Sequence, residues 1–315
     1  MIDQEFEFDF DQDLIFRTLK SKGFTSNCKF AFNMDYLVIG GKNANPLLYN
    51  MAKRSMSEIG KKYSLLTDSC TAVAISQDSD FAATGYPDGT IILWNIQKNG
   101  DGNPYKLIHK SNITNLAFIC DHKRLIIADF SGVITLLSLV QSPSCELVLQ
   151  TTIINIKNQI KSFVSLDPNH VAFLSCDMFS FISVDRNITV HVSKTLSADS
   201  NYNSCAIITE NSNKRSLMCI DNSLTLMEVK KDSRAHDILN ITAEAKIVQC
   251  FFISYSIFLV VLNIGKAIIY NDKSEQLEVL ENLPTVAEPM NIQKYGSSLL
   301  FFLDSAIIQK RIPNV

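Results

Sequence analysis

A short phrase recurs along the chain: an apolar run, a tight polar turn and a second apolar run. The clearest copy spans Phe81–Trp94, and the next copy spans Arg124–Leu137. The turn residues of the seven copies lie 35 to 55 residues apart, and they are Asn43, Gly89, Gly132, Asn187, Asn222, Gly265 and Ser305. A repeat of about 40–45 residues with a strand-turn-strand centre is typical of propeller blades. The period therefore predicts an all-β fold, a seven-bladed β-propeller of the WD40-like type.

The composition fits a chain that buries a large core and does not bind polyanions. Of the 315 residues, 46% are hydrophobic and only 19% are charged, unlike a disordered chain. The formal net charge is −3, so no overall basic field attracts nucleic acid. We therefore expect a folded protein that has no nucleic-acid partner.

The repeat also predicts how the chain is divided and how the ring closes. Residues 1–12 are expected to form an acidic flexible tail, and residues 13–315 a single seven-bladed propeller. The last blade has sequence for three strands only, while the apolar segment Asp13–Leu19 has no partner in the first blade. An unpaired edge strand invites aggregation. We therefore predict that Asp13–Leu19 closes the ring as the outer strand of the last blade.

The cysteines and the N-terminus indicate the compartment. None of the eight cysteines forms a Cys-x-x-Cys pair, and several lie in apolar runs, as Cys120 does. Free cysteines are commonly buried, so we expect reduced, mostly buried thiols. The first residues are acidic and do not have the basic start and apolar core of a signal peptide. Both features favour a cytoplasmic location.

Two stretches of the chain carry a family resemblance. The phrase Thr84–Asn95 resembles a WD repeat, with Trp94-Asn95 where that superfamily has Trp-Asp. Together with Thr71–Ser76, Ile113–Phe118 and Ala128–Leu137, it resembles the N-terminal propeller of the vacuolar protein sorting-associated protein 8 family. These residues cover less than a quarter of the chain. The helical solenoid and RING of that family are not in this chain, so the resemblance implies a fragment or a reduced relative.

The resemblance implies a non-enzymatic protein that acts in vesicle tethering. Members of that family are subunits of the CORVET endosomal tethering complex. The implied partners are other tethering-complex subunits and an early-endosomal Rab GTPase. The implied location is cytoplasmic and peripheral on endosomal membranes, with membrane association only through partners. A generic WD-repeat scaffold in another pathway is the alternative within this class.

The sequence predicts no catalytic, cofactor-binding or metal-binding residues. The five histidines are scattered, and the chain has no metal-binding, phosphate-loop or nucleophile-elbow spacing. A propeller enzyme that uses the central channel remains a remote alternative. It would need charged side chains at the channel mouth, and the sequence offers Asp88, Asp129 and Asp185 near turns. Asp and Asn are common at turns for backbone reasons, which favours a structural role.

Partner contacts are expected from exposed loops, because loops carry binding in rigid scaffolds. Tyr86-Pro87 is expected to be exposed at a turn between two strands. Lys61-Lys62 belongs to a basic loop, although a solvated face is the simpler interpretation. Phe6 and Phe8 alternate with acids in the N-terminal tail, which is either frayed or a docking peptide. The candidate partner contacts are therefore Tyr86, Pro87, Lys61, Lys62, Phe6 and Phe8.

One apolar segment also fits a membrane protein. Residues 247–265 contain no charged side chain, and Lys266 follows them. The length of this segment is close to that of a membrane span. The run is rich in β-branched and aromatic residues, and it falls on the repeat with a turn at Asn263–Gly265. A buried strand pair also produces a near-continuous apolar run. We therefore predict two paired strands here.

Overall fold

The fold is almost entirely β-structure. The computed structural model describes residues 11–22, 28–33, 35–41, 45–59, 69–96, 101–106, 109–119, 124–141, 147–156, 159–167, 170–175, 178–184, 188–195, 202–210, 213–229, 235–283, 285, 291–295, 298–302 and 307–312. Within these residues it has one α-helix and 27 β-strands, so the all-β prediction is confirmed.

The chain forms two compact units, one of residues 1–116 with 291–315 and one of residues 117–290. The first unit contains helix α1 (Gln12–Ser21) and three sheets. Sheet 1 consists of β1 (Lys29–Phe32), β2 (Tyr36–Gly40), β3 (Leu47–Asn50) and β4 (Ser55–Glu58). Sheet 2 consists of β5 (Ala72–Ile75), β6 (Phe81–Gly85), β7 (Thr90–Asn95) and β8 (Asp101–Lys106). Sheet 7 consists of β25 (Asn291–Tyr295), β26 (Ser298–Phe302) and β27 (Ile307–Arg311).

The second unit contains three complete sheets and most of a fourth. Sheet 3 starts with β9 (Ile113–Phe118), which spans the division, and continues with β10 (Arg124–Asp129), β11 (Val133–Gln141) and β12 (Leu147–Asn155). Sheet 4 consists of β13 (Ile160–Asp167), β14 (His170–Ser175), β15 (Met178–Val184) and β16 (Ile188–Thr195). Sheet 5 consists of β17 (Tyr202–Glu210), β18 (Asn213–Ile220), β19 (Ser223–Val229) and β20 (Ala235–Thr242). Sheet 6 consists of β21 (Ile247–Ser254), β22 (Ile257–Leu262), β23 (Lys266–Asn271) and β24 (Gln276–Leu280).

In every sheet the strands follow one another in chain order, as in a propeller blade. The middle strands are the most deeply buried, and nearly every residue of β6, β7, β22 and β23 is shielded from solvent. The fourth strands β4 and β24 are largely exposed. Because these middle strands are buried on both faces, they read as continuous apolar runs. The outer strands face water and can be polar.

The predicted closing strand at Asp13–Leu19 is wrong, because this segment is the helix α1. The Asp11 carboxylate caps the helix by accepting a hydrogen bond from the Leu14 N–H at 2.8 Å. Ile15 and Leu19 are buried while Arg17 between them is exposed, which is the pattern of a helix, because in a strand all three would share one face. They pack in one core cluster with residues of β1–β3, Leu300 and Ile307. The first and last sheets therefore share a core that α1 covers, and sheet 7 has three strands among the described residues.

Two other expectations need correction, and one is confirmed. The sequence predicts a polar loop over Lys53–Ser64, but the fourth strand of sheet 1, β4, lies inside it. The sequence predicts the fourth strand of sheet 2 over Tyr105–His109, but this strand begins four residues earlier, at Asp101. Gly89 and Gly132 have positive φ angles of 81° and 86°, as turn chemistry predicts for these two glycines, and Gly265 also has a positive φ, of 78°. The single domain over residues 13–315 stays a prediction.

Candidate functional site

The turn between β6 and β7 carries the first predicted contact residues. The Gly89 N–H donates to the Tyr86 carbonyl at 3.2 Å, and the Tyr86 N–H donates to the Thr90 carbonyl at 3.0 Å. The Asp88 carboxylate accepts from the N–H and the hydroxyl of Thr90, at 2.8 and 2.7 Å. A Cβ at Gly89 would collide with the carbonyl oxygen of His109. The turn is therefore fixed by backbone and by its own side chains.

Tyr86 is buried, which corrects the prediction that it is exposed. Only 2% of its surface is accessible, because the ring points back into the sheet. The Trp94 Nε1–H donates to the Thr84 hydroxyl at 2.9 Å, and that hydroxyl donates to the Tyr86 hydroxyl at 3.2 Å. Burial raises the pKa of the Tyr86 phenol, so the group stays protonated. Tyr86 therefore stabilises the sheet and offers no ring to a partner.

Pro87 and Asp88 are the exposed residues of this turn. The same turn in other sheets displays apolar side chains. Phe130 in the β10–β11 turn is 56% exposed, and Ile264 in the β22–β23 turn is 45% exposed. Neither residue was predicted as a contact from the sequence, although aligning the turn glycines places Phe130 at the position of Pro87. Phe130 lies two positions before Gly132, as Pro87 lies before Gly89.

The Asp129 carboxylate holds the Phe130 turn in place. Its Oδ1 accepts from the Ser131 N–H at 2.9 Å, from the Ser131 hydroxyl at 2.7 Å and from the Val133 N–H at 2.9 Å. Asp129 itself is buried. Since its carboxylate is occupied by the turn, Phe130 is presented to solvent on a rigid support. Rigid presentation lowers the entropy that a partner must overcome on binding.

The remaining predicted contact residues, Lys61, Lys62, Phe6 and Phe8, lie outside the described residues. Part of the segment before Lys61, which was expected to be a loop, forms regular structure. Arg54 has a positive φ of 47°, and the strand β4 follows it directly. In that strand, the Glu58 carboxylate forms a salt bridge with the Lys22 ammonium group at 2.8 Å. The contact role of the four undescribed residues stays a prediction.

The described aspartates of the enzyme alternative have structural partners. Asp88 and Asp129 both bond their own turns, as the turn interpretation predicts. Asp185 lies outside the described residues. No group of three metal-ligating side chains occurs within the part of the chain that the structure describes.

The described thiols are buried. Cys28, Cys70, Cys219 and Cys250 are buried and form no disulfide, as predicted for this subset of the eight. Burial raises the pKa of the Cys70 thiol from 9.0 to about 12, and backbone hydrogen bonds and the Lys29 charge oppose that rise more weakly. The thiolate is the nucleophilic form, so Cys70 does not serve as a nucleophile near neutral pH.

A polar cluster of Arg215, Tyr255 and Asp272 joins sheets 5 and 6 in the second unit. The Arg215 guanidinium donates to the Asp272 carboxylate at 2.9 Å and to the Tyr255 carbonyl at 3.1 Å. It also lies 4.2 Å from the centroid of the Tyr255 ring, as a cation–π pair. Burial raises the pKa of the Tyr255 phenol, and the Arg215 charge opposes that rise. The cluster links two turns to β18, and we assign it a structural role.

The apolar segment of residues 247–265 forms the strand pair predicted for it. β21 and β22 are antiparallel neighbours, with Cys250 opposite Val260 and Phe251 opposite Leu259. Across the described ranges, no helix has the length and apolar character to cross a membrane.

The sheets, their order and their turns define an all-β protein of the propeller type. Residues 25–287 match the family model of the Vps8 β-propeller. The match covers well over half of the chain, and the chain belongs to the Vps8 β-propeller family. A search among curated proteins finds no significant match.

Proposed function

We propose that this chain is a non-enzymatic scaffold that takes part in vesicle tethering on endosomes, in a CORVET-like or HOPS-like complex. The observation that carries the proposal is the match of residues 25–287 to the Vps8 β-propeller family. The described turns support a binding role, because they present Phe130 and Ile264 to solvent while the described aspartates are used structurally.

The proposal includes the architecture that such a scaffold needs. Each of the seven sheets among the described residues is taken as one blade, as the repeat predicts. The first and last sheets share a core that α1 covers, at the place where the repeat predicted a closing strand.

The proposed partners are other subunits of the tethering complex and an early-endosomal Rab GTPase in its GTP-bound state. The protein acts in the cytoplasm and reaches endosomal membranes through these partners. The contact residues are Phe130 and Pro87 at the described turns, together with the predicted Lys61, Lys62, Phe6 and Phe8. Aromatic anchors dominate the energetics of many interfaces, which favours Phe130 as the first residue to test.

The direct test is capture of a nucleotide-locked early-endosomal Rab and of the tethering subunits by the full chain. We expect Phe130→Ser, and the charge reversal of Lys61 and Lys62 to Glu, to weaken capture without a change in Tm. Lys246→Glu, an exposed lysine in the second unit, is the matched control for charge reversal. If the intact chain captures neither Rab nor tethering subunits, the tethering proposal fails and a generic scaffold in another pathway remains.

A further inference from the structure

Helix α1 packs on the first and last sheets through side chains and belongs to neither sheet. Ile15 and Leu19 are buried in one cluster with Leu300 of β26, Ile307 of β27 and Tyr49 of β3. We call the residues of β1–β3, β26 and β27 in this cluster the α1 surface. Because the strand ladders do not include α1, the helix can leave this surface without breaking a hydrogen bond between strands.

Polar groups of sheet 1 contact both ends of the helix. At its start, the Asp11 N–H donates to the Tyr49 hydroxyl at 3.3 Å. At its end, the Lys22 ammonium group forms a salt bridge with Oε2 of Glu58 at 2.8 Å. The Asn45 carboxamide donates to the other oxygen of Glu58 at 3.0 Å, which holds the carboxylate in place. The α1 surface therefore selects the direction of a helix as well as its apolar face.

The helix is too short to be stable without this surface. It has 10 residues, and isolated helices of fewer than about 12–15 residues are marginal in water. Phe16 and Thr18, in its middle, are weaker helix formers than leucine or lysine. α1 is therefore helical because it is docked, and undocking removes its structure. Elements of this kind open locally before the rest of a protein unfolds.

We propose that the α1 surface binds an amphipathic helix of a partner protein, which takes the place of α1. The contacts of α1 define what this partner needs: two bulky aliphatic residues four apart and a cation three residues after the second, as in Ile15, Leu19 and Lys22. An extended peptide does not fit, because positions four apart share a face with the position between them in a strand. The other charges of α1, on Asp13, Arg17 and Lys20, are exposed and place no demand on the partner.

Exchange keeps the shared core covered, since the incoming helix buries the residues that α1 buried. α1 competes with the partner at a high effective concentration, because it is joined to the same chain. A free helix should therefore bind the unchanged chain weakly and bind a chain with a broken α1 more tightly. The inference deepens the proposed scaffold function by naming one binding surface, and it rests on that function.

The test uses the full chain and a fluorescently labelled peptide of residues 9–24, with binding measured by anisotropy. Arg17→Pro breaks α1, because a proline inside a helix removes a hydrogen bond and clashes with the preceding turn. Arg17 is exposed, so this change removes no core side chain. We expect Arg17→Pro to bind the peptide about tenfold more tightly than the unchanged chain, or better. Arg17→Ala keeps the helix and is the matched control, which should bind as the unchanged chain does.

Three outcomes overturn the inference: no binding by the unchanged chain, equal affinity of the Arg17→Pro and unchanged chains, or equal binding of a peptide with Ile15→Ser and Leu19→Ser. Circular dichroism checks that Arg17→Pro keeps its sheets. If it does not, hydrogen exchange of the unchanged chain decides, and α1 amides as protected as those of β2 overturn the inference.

Sedimentation tests a second copy as the occupant. A dimer of the unchanged chain that the peptide dissociates would replace the partner helix with α1 of another copy. Rab capture is measured on the unchanged chain without the peptide. Failure of that capture overturns the proposed function, while the peptide result alone decides the α1 surface, so the two failures are distinguishable.

Discussion

The indole Nε1–H of Trp94 donates a hydrogen bond to the hydroxyl of Thr84, 2.9 Å away across β6 and β7. Both side chains are fully buried, and the Thr84 hydroxyl continues the chain to Tyr86. The only tryptophan of the protein is thereby joined to the turn that follows β6. The residues that resemble a WD repeat here therefore pack inside the sheet, and partner contacts must come from other residues.

Thr84→Val should destabilise the protein. Valine has nearly the same shape, but it removes a hydroxyl that serves two buried polar groups. A buried donor without its partner costs about 1–3 kcal/mol, and we expect the free energy of unfolding to fall by that amount in urea titrations. Thr242→Val, on the exposed strand β20, should stay within about 0.5 kcal/mol of the unchanged protein. Equal stability of the Thr84 and Thr242 variants would argue against the hydrogen-bond chain.

Gly89→Ala should be costly for two reasons. The φ angle of 81° disfavours any side chain, and the new Cβ would meet the carbonyl oxygen of His109. Strain at a special φ costs about 1–3 kcal/mol, so thermal unfolding should show a clear fall in Tm. Gly265→Asn, at a φ of 78°, is the comparison, because asparagine adopts this region more readily than alanine does. A Gly89→Ala variant as stable as Gly265→Asn would show that the turn can relax.

Ile15→Ala should test the helix that covers the first and last sheets. Ile15 is fully buried against a cluster that includes Leu300 and Ile307. Truncating a buried isoleucine costs about 2–5 kcal/mol, depending on how far the site collapses. Arg17→Ala, on the exposed face of the same helix, should have little effect. If both variants unfold at the same urea concentration, α1 does not contribute to this core.

Stability at alkaline pH should depend on Cys70. Its pKa is raised from 9.0 to about 12 in the folded protein, so the folded state holds the proton more tightly than the unfolded state. The contribution is fully present below pH 9.0 and is lost as the pH rises toward 12. In Cys70→Ala the decline in unfolding free energy between pH 9 and 11 should be shallower. An unchanged slope would show that other groups cause the decline.

The same burial predicts slow chemistry at this thiol. Cys70 should react with a thiol reagent at pH 8 only slowly in the folded protein, and rapidly in denaturing urea. The reaction is followed by mass spectrometry, which identifies the modified cysteine. Rapid modification of Cys70 in the folded chain would contradict its burial.

Local pattern was enough to predict the strands and many of the turns. The recurring apolar phrase located β6 with β7 and β10 with β11, because a middle strand covered on both faces must be apolar at every position. Positive φ at Gly89 and Gly132 followed from turn chemistry alone. These features depend on neighbours in the chain, so a single sequence contains their cause.

The sequence by itself determined the β-rich repeat and its period, while tertiary structure decided which side chains face solvent. Tyr86 belongs to the phrase Gly-Tyr-Pro-Asp, which has the composition of an exposed turn. Its ring is nevertheless buried, because the hydroxyl of Thr84, which also binds Trp94, provides a buried polar partner. Asp13–Leu19 is apolar enough for a strand, but the core beside Leu300 favours the face of a helix. Ile238 and Leu277 face outward because bulges shift the register, and a bulge depends on the pairing of two strands. Exposure is set by contacts between segments distant in the chain, which local pattern does not encode.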